Sequence, residues 1–284
     1  MIAITGANGQ LGRLVIASLL NKVSAEEIVA LVRSPEKATD LKALGVQVRQ
    51  ADYNSPETLP SALAGVEKLL LISGSEVGQR VPQHKAVIEA AQAAGIKLLA
   101  YTSILKADQS PLMLAAEHKT TEELIQATNI PAVILRNGWY NENYSTQAPD
   151  AAGLGVVAGA AADGKFASAA RADYAEAAAV VLTSEQSHAG KVYELAGSSA
   201  FTLAEFAQQV AENSGKAVNY QPMSEQEFRD LLVQVGLPEG FAGALADAEK
   251  YAAEGWLFDD SGVLEQLIGR TTKPLAESVQ EALA

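Results

Sequence analysis

Apolar residues along the first half of the chain come in short runs of strand length. These runs lie at residues 1–4, 27–32, 46–50, 68–72, 97–101 and 132–135. Between them the apolar positions move to helical spacing, as at Leu11, Leu14, Val15 and Leu19. Helices are expected over 36–44, 56–64, 83–94 and 114–128, and Gly45, Gly65 and Gly95 stop the first three. Strands this apolar, alternating this regularly with helices, predict an α/β fold with a doubly wound parallel sheet covered on both faces. Its crossovers should be right-handed. Ligands of such sheets bind beyond the carboxyl ends of the strands. The loops to search are therefore 6–12, 33–35, 52–54, 73–80, 102–110 and 137–144.

The pattern changes near residue 145. Residues 148–164 are rich in alanine and glycine with little periodicity. An alanine-rich helix is expected over 174–183, a strand over 191–195 and a short strand over 217–220. Thr202 and Glu205 have the spacing of a capping box, and 224–284 reads as mostly helical. The expected organisation is a nucleotide-binding domain at 1–145 and a smaller, mostly helical lobe at 146–284. The lobe lies on the substrate side and is interleaved with the first domain.

The first candidate chemistry lies between the first strand and the first helix. Gly6, Gly9 and Gly12 stand three apart in Thr5-Gly6-Ala7-Asn8-Gly9-Gln10-Leu11-Gly12. Gly6 lets the chain leave the strand in a tight turn. Gly9 removes a Cβ where a pyrophosphate approaches, and Gly12 lets the helix pack closely. The free N–H groups of the helix start then face the anion.

Charge narrows the partners. The net charge is −13, which argues against nucleic acid or an anionic membrane surface. No apolar run reaches the length of a membrane span. There is no cysteine, which removes disulfides, thiol nucleophiles and cysteine metal sites. The expected location is the cytoplasm. Oligomeric state stays open, a homo-oligomer included.

The end of the second strand selects the cofactor. An acid there would bind the ribose hydroxyls of NAD, but this chain has Arg33. A guanidinium pairs with a 2′-phosphate and stacks on adenine, so NADPH is favoured. Ser34 and Pro35 start the next helix, whose N–H groups would share the phosphate. Asp52 is read equally as a turn aspartate or an adenine contact. Ser73-Gly74-Ser75 is small enough for close passage of a ribose.

Several motifs together resemble one family. They are Thr5-Gly6-x-x-Gly9-x-x-Gly12, Arg33-Ser34-Pro35, Ala51-Asp52, Leu135-Arg136-Asn137-Gly138, Ser168-Ala169-x-Arg171-x-Asp173-Tyr174-Ala175 and Gly269-Arg270. The chain is similar over essentially its whole length to the NmrA-like group of atypical short-chain dehydrogenases. Within that group it looks closest to the bacterial quinone-reducing branch, with dye-reducing members next. The resemblance implies a two-lobed Rossmann protein with NADPH in the N-terminal lobe and a flat aromatic acceptor in the cleft. It carries cofactor contacts onto Gly6, Ala7, Asn8, Gly9, Gln10, Leu11, Arg33, Ser73, Gly74 and Ser75. It also carries them onto Asn137, Gly138, Trp139, Tyr140, Asn141 and Glu142.

One departure from the wider dehydrogenase pattern bears on mechanism. The usual Tyr and Lys, four residues apart on the helix before the sixth strand, align with Leu114 and His118. The proton donor of ketone reduction is thus absent. A quinone needs it less, because the hydroquinone anion is stabilised by aromatic delocalisation. The expected activity is NADPH-dependent reduction of quinones by direct hydride transfer, without flavin. The alternatives are a non-catalytic NADP-binding redox sensor and a reductase of another aromatic acceptor such as a dye.

His118, Tyr140 and Asn143 are the candidate catalytic residues. His118 is read equally as a proton donor near neutral pH or a buried structural histidine. Trp139, Tyr140 and Tyr144, with Asn137 and Asn143, offer rings for stacking and amides for a quinone oxygen. His84 is read as structural and His188 as solvated, and three scattered histidines make no case for a metal.

Overall fold

The computed structural model describes residues 1–284. Its strands are β1 (Ile2–Ile4), β2 (Ile28–Val32), β3 (Gln47–Gln50), β4 (Lys68–Leu71), β5 (Leu98–Ile104), β6 (Ala132–Asn137), β7 (Val156–Gly159), β8 (Val192–Leu195) and β9 (Asn219–Pro222). Seven form one sheet in the order β3-β2-β1-β4-β5-β6-β8, and β7 pairs with β9 in a second. The expected doubly wound, Rossmann-like α/β fold is present. The order reverses between β1 and β4, which pair in parallel with Ile4 opposite Leu70. Their carboxyl ends form the switch point where such sheets bind ligands.

Two compact units divide the chain, each built from three segments. The first comprises 1–104, 117–136 and 174–193, and the second 105–116, 137–173 and 194–284. In the first unit β1 and β2 are buried at every position. Leu69, Leu71, Leu99 and Tyr101 of the sheet pack with Leu59, Val87, Ile88 and Ile125 from the helices. Apolar strands covered on both faces must pack this way, since no face is left for water.

In the second unit an aromatic cluster forms the centre. The Tyr144 ring lies 5.1 Å from those of Phe166 and Phe201. The capping box at Thr202 forms as read: its hydroxyl accepts the Glu205 N–H at 3.2 Å, and the Glu205 carboxylate accepts the Thr202 N–H at 2.7 Å.

Four local expectations change. The helices read at 36–44 and 56–64 are each a 3-10 turn followed by one short helix, Pro35–Lys37 with Thr39–Ala43 and Pro56–Thr58 with Leu59–Ala62. The stretch 148–164 holds a helix, Ala148–Leu154, and β7. The strand read at 191–195 joins the main sheet as its seventh member.

Candidate functional site

The glycine turn is built as its spacing requires. β1 ends at Ile4, and the hydroxyl of Thr5 just after it accepts the Ile72 N–H at 2.9 Å and ties the turn to the end of β4. Gly6 has φ +57°, a left-handed conformation that glycine adopts at no steric cost. A Cβ on Gly12 would stand 2.5 Å from the Gly6 carbonyl oxygen and 2.7 Å from Ala7 Cα. Only glycine lets the helix Gln10–Leu20 come this close to the turn. Gly9 caps that helix without a side-chain hydrogen bond, and no acid sits in the first turn. The helix start is therefore free to face an anion.

Beyond this turn opens a cavity of about 710 Å³. Gly6, Asn8, Gly9, Gln10, Leu11, Arg33, Ser73, Gly74 and Ser75 all line it. The sequence reading put the same residues on the cofactor. Ala7 is fully buried beneath the turn and does not line the cavity. The volume falls within the range of cofactor clefts. Glycines cleared of Cβ atoms, an unclaimed helix start and a free guanidinium edge are the donor set a phosphorylated dinucleotide needs, so the residues fit NADPH.

Arg33 reaches over the cavity with its side chain mostly exposed, 3.2 Å from Glu76. The support expected from Ser34 is smaller than read. Pro35 has no N–H and only a 3-10 turn follows. Lys37 instead lines the cavity and brings a second cation. Asp52 is a turn aspartate, its Oδ1 accepting the Asn54 N–H at 3.0 Å, and it also lines the cavity. Tyr53, which the sequence did not single out, lines the cavity and donates to the Ile72 carbonyl at 3.2 Å.

The Ser73–Ser75 loop is clamped from behind. The His84 Nε2 accepts the Gly74 N–H at 2.9 Å, and the Arg80 Nε donates to the Gly74 carbonyl at 2.6 Å. His84 Nδ1 pairs with the Thr121 hydroxyl at 2.9 Å. That hydroxyl donates to the Glu117 carbonyl, so the imidazole carries its proton on Nδ1 and is neutral. His84 is structural, as read, and the structure it holds is the Ser73–Ser75 loop.

His118 is buried, with Nδ1 2.8 Å from the Tyr101 hydroxyl. Burial, with Arg80 nearby, pushes its imidazole down to about 3. A neutral ring at physiological pH does not serve as an imidazolium donor, so the structure argues against that half of its reading. Burial likewise pushes His84 down to about 4. The sign for stability follows: the folded rings refuse a proton that the unfolded chain accepts below about pH 6.5. Their contribution is whole above that pH and is lost as the pH falls toward 4. Each ring contributes about 1.4 kcal/mol per pH unit in that window, so urea unfolding at about pH 5 should show stability lower by a few kcal/mol than at pH 7. An unchanged urea midpoint would count against this assignment.

The loop 137–142 belongs to the second unit. The Gly138 N–H donates to the Leu195 carbonyl at 2.7 Å. Asn141 is fully buried, and its amide is spent on the Lys273 carbonyl at 2.9 Å and the Ser168 hydroxyl at 2.5 Å. Both Glu142 carboxylate oxygens accept the Arg171 N–H at 3.0 Å. Arg171 also lies over the Tyr140 ring, 4.6 Å from its centre. Asn141 and Glu142 thus shape the loop, and their side chains already have partners in the chain. Asn137 differs: its buried Oδ1 has no hydrogen-bond partner. An orphaned acceptor here suits a ligand N–H such as that of a carboxamide.

Trp139, Asn143 and Tyr144 line a second, smaller cavity, whereas Tyr140 stands outside it beneath Arg171. The remaining motif residues are braces. Arg136 and Glu122 form a buried two-pronged pair at 3.0 and 2.7 Å. Asp173 takes Arg270 at 2.7 Å and the Lys273 N–H at 2.9 Å.

Comparison with known proteins follows the same lines. The NmrA-like family profile matches residues 1–281. Quinone oxidoreductase 2 of Escherichia coli (strain K12) is 59% identical over 279 residues, covering 98% of this chain and 97% of the relative. The crystal structure of an NADPH-dependent quinone oxidoreductase from Escherichia coli, complexed with NADPH, superposes with a TM-score of 0.97 at 58% identity over all of both chains. The triphenylmethane reductase of Citrobacter sp. complexed with NADP(H) gives a TM-score of 0.95 at 43% identity, again over all of both chains.

Proposed function

The chain belongs to the NmrA-like family, and from that premise we propose that it is an NADPH-dependent oxidoreductase that reduces quinones by direct hydride transfer, without flavin. One observation carries the reading. The glycine turn, Arg33 and the Ser73–Ser75 loop share a single cavity in a chain this close to a quinone oxidoreductase.

When bound, NADPH supplies the hydride. The chain's own residues hold and orient. The turn from Gly6 to Leu11 takes the pyrophosphate on backbone N–H groups. Arg33, with Lys37 beside it, takes the 2′-phosphate. Ser73, Gly74 and Ser75 pass the ribose, held in place by His84 and Arg80. The loop of Asn137, Gly138, Trp139, Tyr140, Asn141 and Glu142 serves the nicotinamide side, where the orphaned Asn137 Oδ1 receives a carboxamide N–H. Trp139 and Asn143 receive the acceptor. With His118 neutral and no Tyr–Lys dyad, positioning supplies most of the rate. No helix is long and apolar enough to cross a membrane. Dependence on NADPH supports action in the cytoplasm.

Purified protein with NADPH and 1,4-benzoquinone should consume NADPH at roughly 1–1000 turnovers per second. Consumption no faster than the uncatalysed reaction refutes the proposal. A second reading, reduction of aromatic dyes, is favoured by the likeness to the triphenylmethane reductase. Turnover with such dyes and none with quinones would establish it. Tight NADPH binding without turnover of any acceptor would instead support a redox sensor.

A further inference from the structure

The second cavity is walled mostly by aromatic and aliphatic side chains, with the amides of Asn143 and Gln147, and carries one carboxyl group. Trp139, Tyr144, Phe166, Phe206 and Leu245 are among its walls, and Glu249 is the acid. Glu249 projects from the helix Glu239–Ala253, and its Oε2 accepts the Ala160 N–H at 2.6 Å. The space it uses is made by Gly159, where a Cβ would stand 2.6 Å from that same oxygen. The second carboxyl oxygen accepts no hydrogen bond from the chain. The cavity holds about 60 Å³. That is less than half of a benzene-sized cavity of about 150 Å³, so it admits the edge of a ring and not a fused system.

We propose that this cavity receives one carbonyl edge of the acceptor, and that Glu249, as an un-ionised carboxylic acid, hydrogen-bonds that oxygen and then protonates it. The proposal rests on the quinone-reducing activity above. In the balanced reaction the quinone gains a hydride with its electron pair from NADPH and becomes the hydroquinone monoanion. The O–H bond of Glu249 breaks and its proton moves to the phenolate oxygen, completing the hydroquinone. The carboxylate left behind regains a proton from water. A phenolate is the base of an acid near pKa 10, so it takes a proton readily from a carboxyl. The acceptors favoured are small para-quinones with one unsubstituted edge.

The surroundings keep the acid neutral. Burial pushes the Glu249 carboxyl up to about 8, against the single Ala160 N–H. The titratable groups facing it are Tyr144 and Tyr220, and both are neutral phenols in this range. Burial raises each of them, Tyr220 to about 12. Tyr220 donates to the Gly159 carbonyl at 3.1 Å. The cations on the packed helices are engaged elsewhere, Lys250 with Glu225 at 3.1 Å and Arg229 with Glu239 at 2.6 Å.

Two readouts test the assignment. N-methyl-4-pyridone, a redox-inert ring with one carbonyl, is titrated calorimetrically into cofactor-free protein at about pH 6.5 and about pH 9. Wild type should bind it roughly tenfold more weakly at the higher pH, because about nine in ten Glu249 carboxyls are then ionised. Glu249→Gln, whose amide cannot ionise, should bind equally at both. With NADPH and 1,4-benzoquinone, wild-type kcat/KM should fall above about pH 8, and the variant should be at least about tenfold slower near neutrality with no such fall. A variant that keeps the wild-type pH dependence in both readouts overturns the proposal. If no quinone is turned over but the binding pattern appears, the proposed activity fails and the binding site stands. If the variant does not fold, wild-type binding decides alone, and an affinity unchanged with pH overturns the proposal.

Discussion

Gly12→Ala lowers the affinity for NADPH by roughly 100-fold. The added methyl would lie 2.5 Å from the Gly6 carbonyl oxygen, 2.7 Å from Ala7 Cα and 3.0 Å from Ala7 C. All three are backbone atoms, so no flexible side chain can move aside. The helix Gln10–Leu20 must retreat from the turn, and its first N–H groups lose their aim at the pyrophosphate. Loss of one charge-assisted hydrogen bond to the pyrophosphate, which contributes about 1.5–3 kcal/mol, accounts for about that factor. The same strain should lower fold stability by about 1–3 kcal/mol. Calorimetric titration with NADPH measures the first effect and urea unfolding the second. Binding within threefold of wild type would remove the close-packing role assigned to Gly12.

Arg33→Ala weakens NADPH binding by about 10- to 100-fold and leaves NADH nearly unchanged. A charge-assisted hydrogen bond contributes about 1.5–3 kcal/mol, and the 2′-phosphate offers two acceptors to the guanidinium. The ion pair with Glu76 must loosen when the phosphate arrives. Both partners are exposed, so that loss is small. Lys37 on the same cavity keeps the variant from losing all preference. Parallel titrations with NADPH and NADH decide the matter. Equal losses for both cofactors would show that Arg33 serves the adenine and not the phosphate.

Much of the nucleotide half is legible in the sequence. Buried strands write themselves as unbroken apolar runs, and β1, β2, β4, β5 and β6 were read within three residues at their ends. The turn at Gly6 to Gly12 was legible because glycine spacing encodes clearance, and the Cβ distances measure that clearance directly. β7 was hidden because Val156 and Val157 stand among alanines and glycines, too short a stretch to show alternation. The place of β8 in the sheet was hidden for another reason: pairing with β6 is a long-range event that local pattern does not carry.

The proposed acceptor side is only half legible in the sequence. Trp139, Asn143 and Tyr144 were singled out by residue type, and the fold gathers them on one cavity. Tyr140 looked the same in sequence but lies under Arg171. Asn141 looked like a ligand contact, yet its amide is used up inside its own unit. Glu249 gave no signal, being one of three acids on an alanine-rich helix. Its character comes from Gly159 and Ala160, nearly ninety residues away. The role of His84 was hidden in the same manner, since it depends on the backbone of Gly74.

The late arrival of β8 matters while the chain is being made. β6 ends at Asn137 and its neighbour begins at Val192, 55 residues later. At a synthesis rate of roughly 5–20 residues per second, the β6 edge stays open on the ribosome for about 3–11 s. An open apolar edge such as Val133-Ile134-Leu135 is a template for wrong pairing with another chain. Slowed elongation over residues 138–191 should therefore raise the insoluble fraction in cells, and a chaperone that shields nascent edges should lower it.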